Sequence, residues 1–351
     1  MAASPEAEVM ASGNLRRVAT RLLTSGPIAA LASREPGVAS VFMFHRFGRE
    51  VRGHDPQGVR RFLEWLRRHR YEVLDLESLF QRLAGDGPPL RRAVALTIDD
   101  GYSCQAEIGA PLFAEYDVPV TTFLATGFLD EQIWLWWDQV EYVLLETKRQ
   151  RLDGLAGTPQ EGVDLSSPAG RQAAIRGFVG YCKTLPDAGR LAAIAALARG
   201  GEVELPIRPP ARYRPMTWEQ ARRLENRGMR FGPHTVTHPI LARTDDGEAE
   251  REIRGSWQRL GQEVTRPVSV FCYPNGLRGD FGEREFGVLG QLGLRGAVTA
   301  EPGYASLRAM CAPAGRFRVP RFSFSESADL NVRYASRVEL LLAKLLGRTP
   351  E

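Results

Sequence analysis

Ala93-Val94-Ala95-Leu96-Thr97-Ile98-Asp99-Asp100-Gly101 is the stretch on which the reading of this chain turns. A short apolar run of β character stops at two adjacent carboxylates and a glycine. Side chains alternate faces along a strand, but the alternation relaxes at a strand end and Gly101 permits a sharp turn. Both carboxylates can therefore reach one cleft. Two acidic groups held so close need a cation, a shared proton or water to neutralise them. Alone, the segment reads as a strand followed by a solvated acidic turn; its surroundings change that reading.

Upstream, Val38 to Phe44 reads as a buried strand ending in His45-Arg46-Phe47-Gly48. Gly58 to His69 has helical spacing, with Phe62, Leu63, Trp65 and Leu66 on its apolar face. Tyr71 to Leu74 follows as a strand and Leu76 to Leu83 as a helix closed by Gly85. Downstream come a helix over Ala106 to Tyr116 and a strand over Val120 to Ala125. From about residue 127 to 214 the rhythm breaks. Trp134-Leu135-Trp136-Trp137-Asp138 opens a helix through Leu145, and further helices are expected near 170–182, 187–199 and 217–227. Strands then return at Met229 to Phe231, Val268 to Phe271, Leu294 to Val298 and Phe317 to Phe322, with a helix over Glu248 to Glu263.

Strands alternating with helices imply parallel pairing with helical crossovers. Over this length they predict a (β/α) barrel, with the irregular stretch as a helical insertion between barrel strands. The unusual chemistry falls at strand ends: His45, Asp99-Asp100, Pro233-His234 and Cys272-Tyr273-Pro274-Asn275-Gly276. The carboxyl ends of the strands are where barrels gather their active sites.

Composition narrows the classes. The chain has 351 residues, 43% hydrophobic and 25% charged, which is ordinary for a globular protein with a sizeable core. A net charge of +4, carried almost entirely by arginine and without basic blocks, argues against nucleic acid as a partner. Cys104, Cys182, Cys272 and Cys311 are scattered without a Cys-x-x-Cys pair, which argues against a zinc ribbon or a disulfide scaffold and for reduced thiols. No apolar run approaches the ~18 residues of a spanning helix. Residues 1–36 read as a polar tail and an amphipathic helix from Asn14 to about Leu23, lying on a membrane surface or on the protein itself. Leu22 to Ala32 has the outline of a weak signal peptide, but Gly26, Pro27, Glu6 and Glu8 count against export. The expectation is a cytoplasmic protein able to rest on a membrane. Residues 37–335 form the barrel with its insertion, and 336–351 a short C-terminal helix.

His234-Thr235-Val236-Thr237-His238 places two imidazoles at i and i+4, on one face if a helical turn forms there. Pro233 and Pro239 bracket them, which suggests a stiff loop opening a helix. With Asp99-Asp100, the two histidines make a two-His, one-carboxylate set with open positions, which suits zinc first and also cobalt or iron. Such a metal lowers the pKa of water to ~7 and supplies a nucleophile. One carboxylate serves the metal, the other is free to accept a proton, and His45 is a spare acid–base group.

Thr97-Ile98-Asp99-Asp100-Gly101, His234-Thr235-Val236-Thr237-His238 and Phe271-Cys272-Tyr273-Pro274-Asn275-Gly276, in this order, resemble the motifs of the polysaccharide deacetylases. These are the NodB-homology enzymes of carbohydrate esterase family 4. The similarity spans roughly Val38 to Phe324. It implies a distorted (β/α)7 barrel and removal of an N-acetyl group from an amino sugar of a glycan, a lipid- or nucleotide-linked sugar or a glycoside. By resemblance Asp99 matches the general base, and Asp100, His234 and His238 match the metal ligands. No histidine follows His238, so the family's C-terminal acid is missing. His45, in Phe44-His45, matches the N-terminal acid of a circularly permuted branch. Cys272 stands where the family's third motif usually carries an arginine that orients the base; Arg321, in Val319-Pro320-Arg321-Phe322, is the candidate replacement. Asn275 would give a main-chain N–H to the developing oxyanion, and Trp136, Trp137 and Tyr273 would line the sugar site. Rival readings are a deformylase or a cyclic imide or ureide hydrolase on the same barrel, and an inactive glycan-binding protein.

Overall fold

The computed structural model describes residues 37–48, 53–154, 156–158 and 162–345. The N-terminal tail and its expected helix lie outside the described residues. Eleven strands are present among the described residues: β1 (Val38–Phe44), β2 (Glu72–Leu74), β3 (Ala93–Ile98), β4 (Thr121–Leu124), β5 (Arg151–Leu152), β6 (Val163–Asp164), β7 (Arg230–Pro233), β8 (Val270–Cys272), β9 (Gly296–Val298), β10 (Ala305–Ser306) and β11 (Phe322–Ser323). Strands β1 and β3 run parallel in register from Ala39 opposite Ala93 to Phe44 opposite Ile98. From β3 the parallel ladder continues to β4 and then to β7. The Val268 N–H donates to the Phe231 carbonyl at 2.7 Å, which carries the ring on to the β8–β9 pair. Val319 bridges to Val298, and β11 returns to β1 with Phe42 opposite Phe322. A seven-membered parallel ring of β1, β3, β4, β7, β8, β9 and β11 therefore closes. It is distorted because β2 also pairs with the first half of β3, and because β10 caps the start of β1 in antiparallel sense.

Alternation along the strands sorts side chains onto two faces. Ala39, Val41, Ala93 and Ala95 join Phe123, Val270, Cys272, Val298 and Val319 in one buried cluster. The intervening Phe42, Phe44, Val94, Leu96 and Ile98 pack instead with Phe62, Leu63 and Leu66 of α1 (Pro56–Arg68) in another. Small residues on one face fit the narrow interior of a barrel, and large ones meet the helical layer. Helix α2 (Leu76–Leu83) adds Leu76, Leu79, Phe80 and Leu83 to the first cluster. Asp55 and Asp75 cap these two helices by accepting main-chain N–H bonds from Gln57 and Ser78.

The helix expected over 106–116 opens differently. One π-turn (Gln105–Gly109) precedes a short α3 (Ala110–Ala114). Pro111 has no N–H to give to Glu107, so the hydrogen-bond register slips there. Along the second half of the ring the strands are shorter than their apolar runs. Phe317 belongs to a 3₁₀ turn (Gly315–Phe317), and Pro320 can donate nothing to a ladder.

Helix α4 (Trp136–Glu146), the β5–β6 hairpin, α5 (Pro168–Cys182) and α6 (Asp187–Gly200) make up the insertion, and α7 (Trp218–Glu225) leads back into β7. Val140, Val143, Leu144, Ile175, Phe178 and Leu197 give the insertion an apolar core of its own. Helices α8 (Asp246–Glu263), α9 (Glu283–Gln291), α10 (Ala328–Ser336) and α11 (Val338–Leu345) complete the chain. Among the described residues no helix is long and apolar enough to cross a membrane, and all four cysteines are free thiols.

Candidate active site

The Asp99 N–H still donates to the Phe44 carbonyl of β1, at 2.9 Å, so its side chain keeps the strand's direction. Asp100 then takes φ +88° and Gly101 φ +99°. That left-handed turn breaks the alternation, and both carboxylates end up buried at one mouth of the barrel. Gly101 is required there: a Cβ would have a positive-φ backbone and lie 2.6 Å from Leu129 Cδ1. Buried Gln105 ties the two strand ends together by donating from Nε2 to the His45 carbonyl at 2.9 Å and to the Asp99 carbonyl.

Asp99 is gripped by Arg321. Arg321 Nη1 donates to Asp99 Oδ1 and Nη2 to Oδ2, each at 2.7 Å. The remaining donors reach Thr97 Oγ1 at 2.9 Å, Cys272 Sγ at 3.1 Å and the Thr299 carbonyl at 2.8 Å. All five guanidinium N–H groups are thus used. The small Cys272 thiol, 3.5 Å from Asp99 Oδ2, leaves the room that this side chain occupies. Burial pushes the Asp99 carboxyl up, but the Arg321 guanidinium outweighs it and holds the group well below the usual carboxylate range.

Asp100 faces the two histidines. Its Oδ1 lies 3.6 Å from His234 Nε2 and 3.5 Å from His238 Nε2, and the two Nε2 atoms are 3.1 Å apart. The histidine segment is not a helical turn. Thr235 and His238 both have positive φ, near +60°, and this folds the two rings together instead. Glu252 of α8 secures the loop by accepting from the main-chain N–H groups of Val236 and Thr237 and from Thr237 Oγ1, at 2.7–2.8 Å. His234 Nδ1 lies 2.8 Å from the Cys272 carbonyl, which can only accept, so Nδ1 keeps a proton and Nε2 is the nitrogen left for a metal. Burial pulls both imidazoles down. Cys272 and Asp100 more than reverse this for His234, which is raised well above the ordinary value, while the His234 charge drives His238 further down, to about 3. The two imidazoles are thus pushed in opposite directions, with an extra proton favoured on His234 over His238.

These three donor atoms fit a metal. With bonds of about 2.0–2.1 Å, the edges of a tetrahedral coordination shell are roughly 3.3 Å, and the triangle here has edges of 3.1, 3.5 and 3.6 Å. A second cluster of donors, Asp99, His234 and Cys272, is also compact. Its carboxylate is already committed on both oxygens to Arg321.

A cleft of about 750 Å³ opens above these groups. His45, half-buried at the end of β1, lines it together with Asp99, Asp100, His234, His238 and Arg321. Asn275 is on the rim with φ +59°, and its main-chain N–H has no partner among the described residues. Tyr273 lies flat on Phe281, ring centroids 4.1 Å apart, with its buried hydroxyl unpartnered. Trp136 is buried with the Arg190 guanidinium 5.1 Å from its ring, and Trp137 stands edge-on to His238. The structure therefore brings every residue singled out in the sequence to one cleft. It adds residues that the sequence does not flag: Arg46, His54 and Tyr102 on the cleft wall, and Gln105, Asp138 and Glu252 behind it. None lies in a motif, although the first is the neighbour of His45.

A parallel α/β barrel with a compact Asp/His/His donor set beside an arginine-clamped carboxylate belongs to the hydrolase class. The polysaccharide deacetylase family model matches residues 86–155 and 193–296, leaving out all of α5 and the start of α6. The chain belongs to the polysaccharide deacetylase family, metal-dependent hydrolases that act on the N-acetyl amides of polysaccharides. Among solved structures, the deacetylase PplD of Streptococcus pyogenes, in complex with acetate, is similar at 15% identity and a TM-score of 0.56, over 86% of this chain and 99% of that one. IcaB from Ammonifex degensii is similar at 14% identity and 0.51, over 87% and 98%. The deacetylase domain of BpsB from Bordetella bronchiseptica is similar at 14% and 0.50, over 82% and 95%. No curated protein matches.

Proposed function

We propose that this protein removes the N-acetyl group from an amino sugar, with Asp99 as base, His45 as acid and a divalent metal, zinc first, held by Asp100, His234 and His238. The observation that carries the reading is the juxtaposition of two differently treated carboxylates. Asp100 is free to point at two imidazole Nε2 atoms, whereas Asp99 is locked by two hydrogen bonds from Arg321. The adjacent side chains thus have separate tasks.

Asp99 stays ionised at any physiological pH because of Arg321, so it is always ready to accept a proton. A divalent metal held by Asp100, His234 and His238 would acidify a water within reach of Asp99 and polarise the acetyl carbonyl. The free N–H of Asn275 is offered to the oxygen on which charge develops. His45, across the cleft on the end of β1, gives a proton to the departing nitrogen. The products are acetate and a free amine.

The test is acetate release from a panel of N-acetylated amino sugars, with formate followed in parallel on N-formyl sugars. Chelation should abolish acetate release and zinc or cobalt should restore it. Release that ignores chelation would overturn the metal role, and formate without acetate would replace the acyl group.

A further inference from the structure

His234 and His238 are supported unequally. His234 has an outer hydrogen bond, from Nδ1 to the Cys272 carbonyl. The Nδ1 of His238 is buried without a partner among the described residues. Metal-binding histidines almost always give that second nitrogen to an oxygen, which fixes the ring. What touches the His238 ring is Trp137, with ring centroids 4.6 Å apart at 68°.

Trp137 is in turn pinned. Its Nε1 donates to Tyr102 Oη at 3.0 Å. The same hydroxyl accepts from Arg46 Nη2 at 3.0 Å and donates to Asp138 Oδ2 at 2.8 Å. One donor and two acceptor sites are all a phenol has, so the Tyr102 hydroxyl is saturated. The other oxygen of fully buried Asp138 takes the Arg46 guanidinium, which also lies 4.3 Å over the Tyr102 ring. The chain of contacts joins the residue after His45, the turn after β3 and the first turn of α4. Each link is buried or half-buried and hydrogen-bonded to the next, and such a buried polar network favours one geometry.

We propose that Trp137, held by Tyr102, Asp138 and Arg46, is the positioning residue for the His238 imidazole, replacing by ring packing the outer hydrogen bond that His238 lacks. The proposal rests on the reading of His238 as a metal ligand. It makes the helical insertion part of the metal site, because Trp137 and Asp138 come from its first helix.

The experiment measures zinc affinity by competition with a chromophoric chelator, and the absorption of the cobalt-substituted protein, for the wild type and for His238→Ala, Trp137→Ala, Trp137→Phe and Tyr102→Phe. Loss of an outer support costs about 10–100-fold in metal affinity. Trp137→Ala is expected to lose that much and to shift the cobalt bands. Trp137→Phe, which keeps a ring against His238, should recover most of the affinity, and Tyr102→Phe should lose about tenfold. A merely structural role would move melting temperature without this ordering. If His238→Ala abolishes binding while Trp137→Ala retains wild-type affinity and spectrum, the positioning role is overturned and the ligand assignment stands. If the wild type binds no better than His238→Ala, the ligand assignment falls, and this proposal with it.

Discussion

Replacing Arg321 by methionine removes every bond of a buried guanidinium whose five N–H groups are all engaged. Asp99 is then left buried without a counter-charge. Breaking one side of a buried ion pair costs about 3–5 kcal/mol, which corresponds to a fall in Tm of roughly 4–7 °C for a domain of this size. Most of that cost is the stranded charge. Adding Asp99→Asn to Arg321→Met should therefore return stability, with a coupling of about 2 kcal/mol or more between the two sites. The sign with pH is fixed by the depressed carboxyl of Asp99. Its contribution is complete above the unfolded value of about 3.9 and is lost as pH falls through the lower folded value. The gap between wild type and Arg321→Met should thus be flat near neutrality and close only in strong acid. Urea unfolding of the four proteins, repeated at several pH values, reads this directly. Additive single effects of under ~1 kcal/mol each would refute the account of the pair.

Two further outcomes follow from the same geometry. His45→Gln should lower kcat by about 10²–10⁴, the usual worth of a general acid, with zinc content unchanged. A wild-type rate would remove His45 from the chemistry. Metal uptake near neutral pH should release about one proton, because His234 is raised above neutrality and His238 lies far below it. Calorimetry in two buffers of different ionisation enthalpy measures that count, and zero would contradict the proton placement.

What the sequence made legible depended on how locally each feature is encoded. Strands β1 and β3 could be bounded to the residue because a long apolar run ends at charged groups. The short strand at residues 322–323 could not, because a proline and a 3₁₀ turn cut its apolar run. The aspartates and histidines stood out as rare chemistry at strand ends. Their convergence did not, since it comes from positive φ at Asp100, Thr235 and His238, which non-glycine residues seldom adopt and sequence does not announce. The Arg321–Asp99 clamp was open to conjecture only from the cysteine at position 272, as it joins residues 222 positions apart. The Tyr102–Asp138–Arg46 support was invisible for the same reason. Its members lie in three separate segments, and only the closed barrel with its insertion brings them together.

The most direct test of the central claim compares Asp99→Asn with Asp100→Asn for zinc content and acetate release. Asp99→Asn is expected to keep its metal and release no acetate, whereas Asp100→Asn loses both. Retention of zinc by Asp100→Asn together with its loss from Asp99→Asn would contradict that claim, and would move the metal to the Asp99, His234 and Cys272 donors.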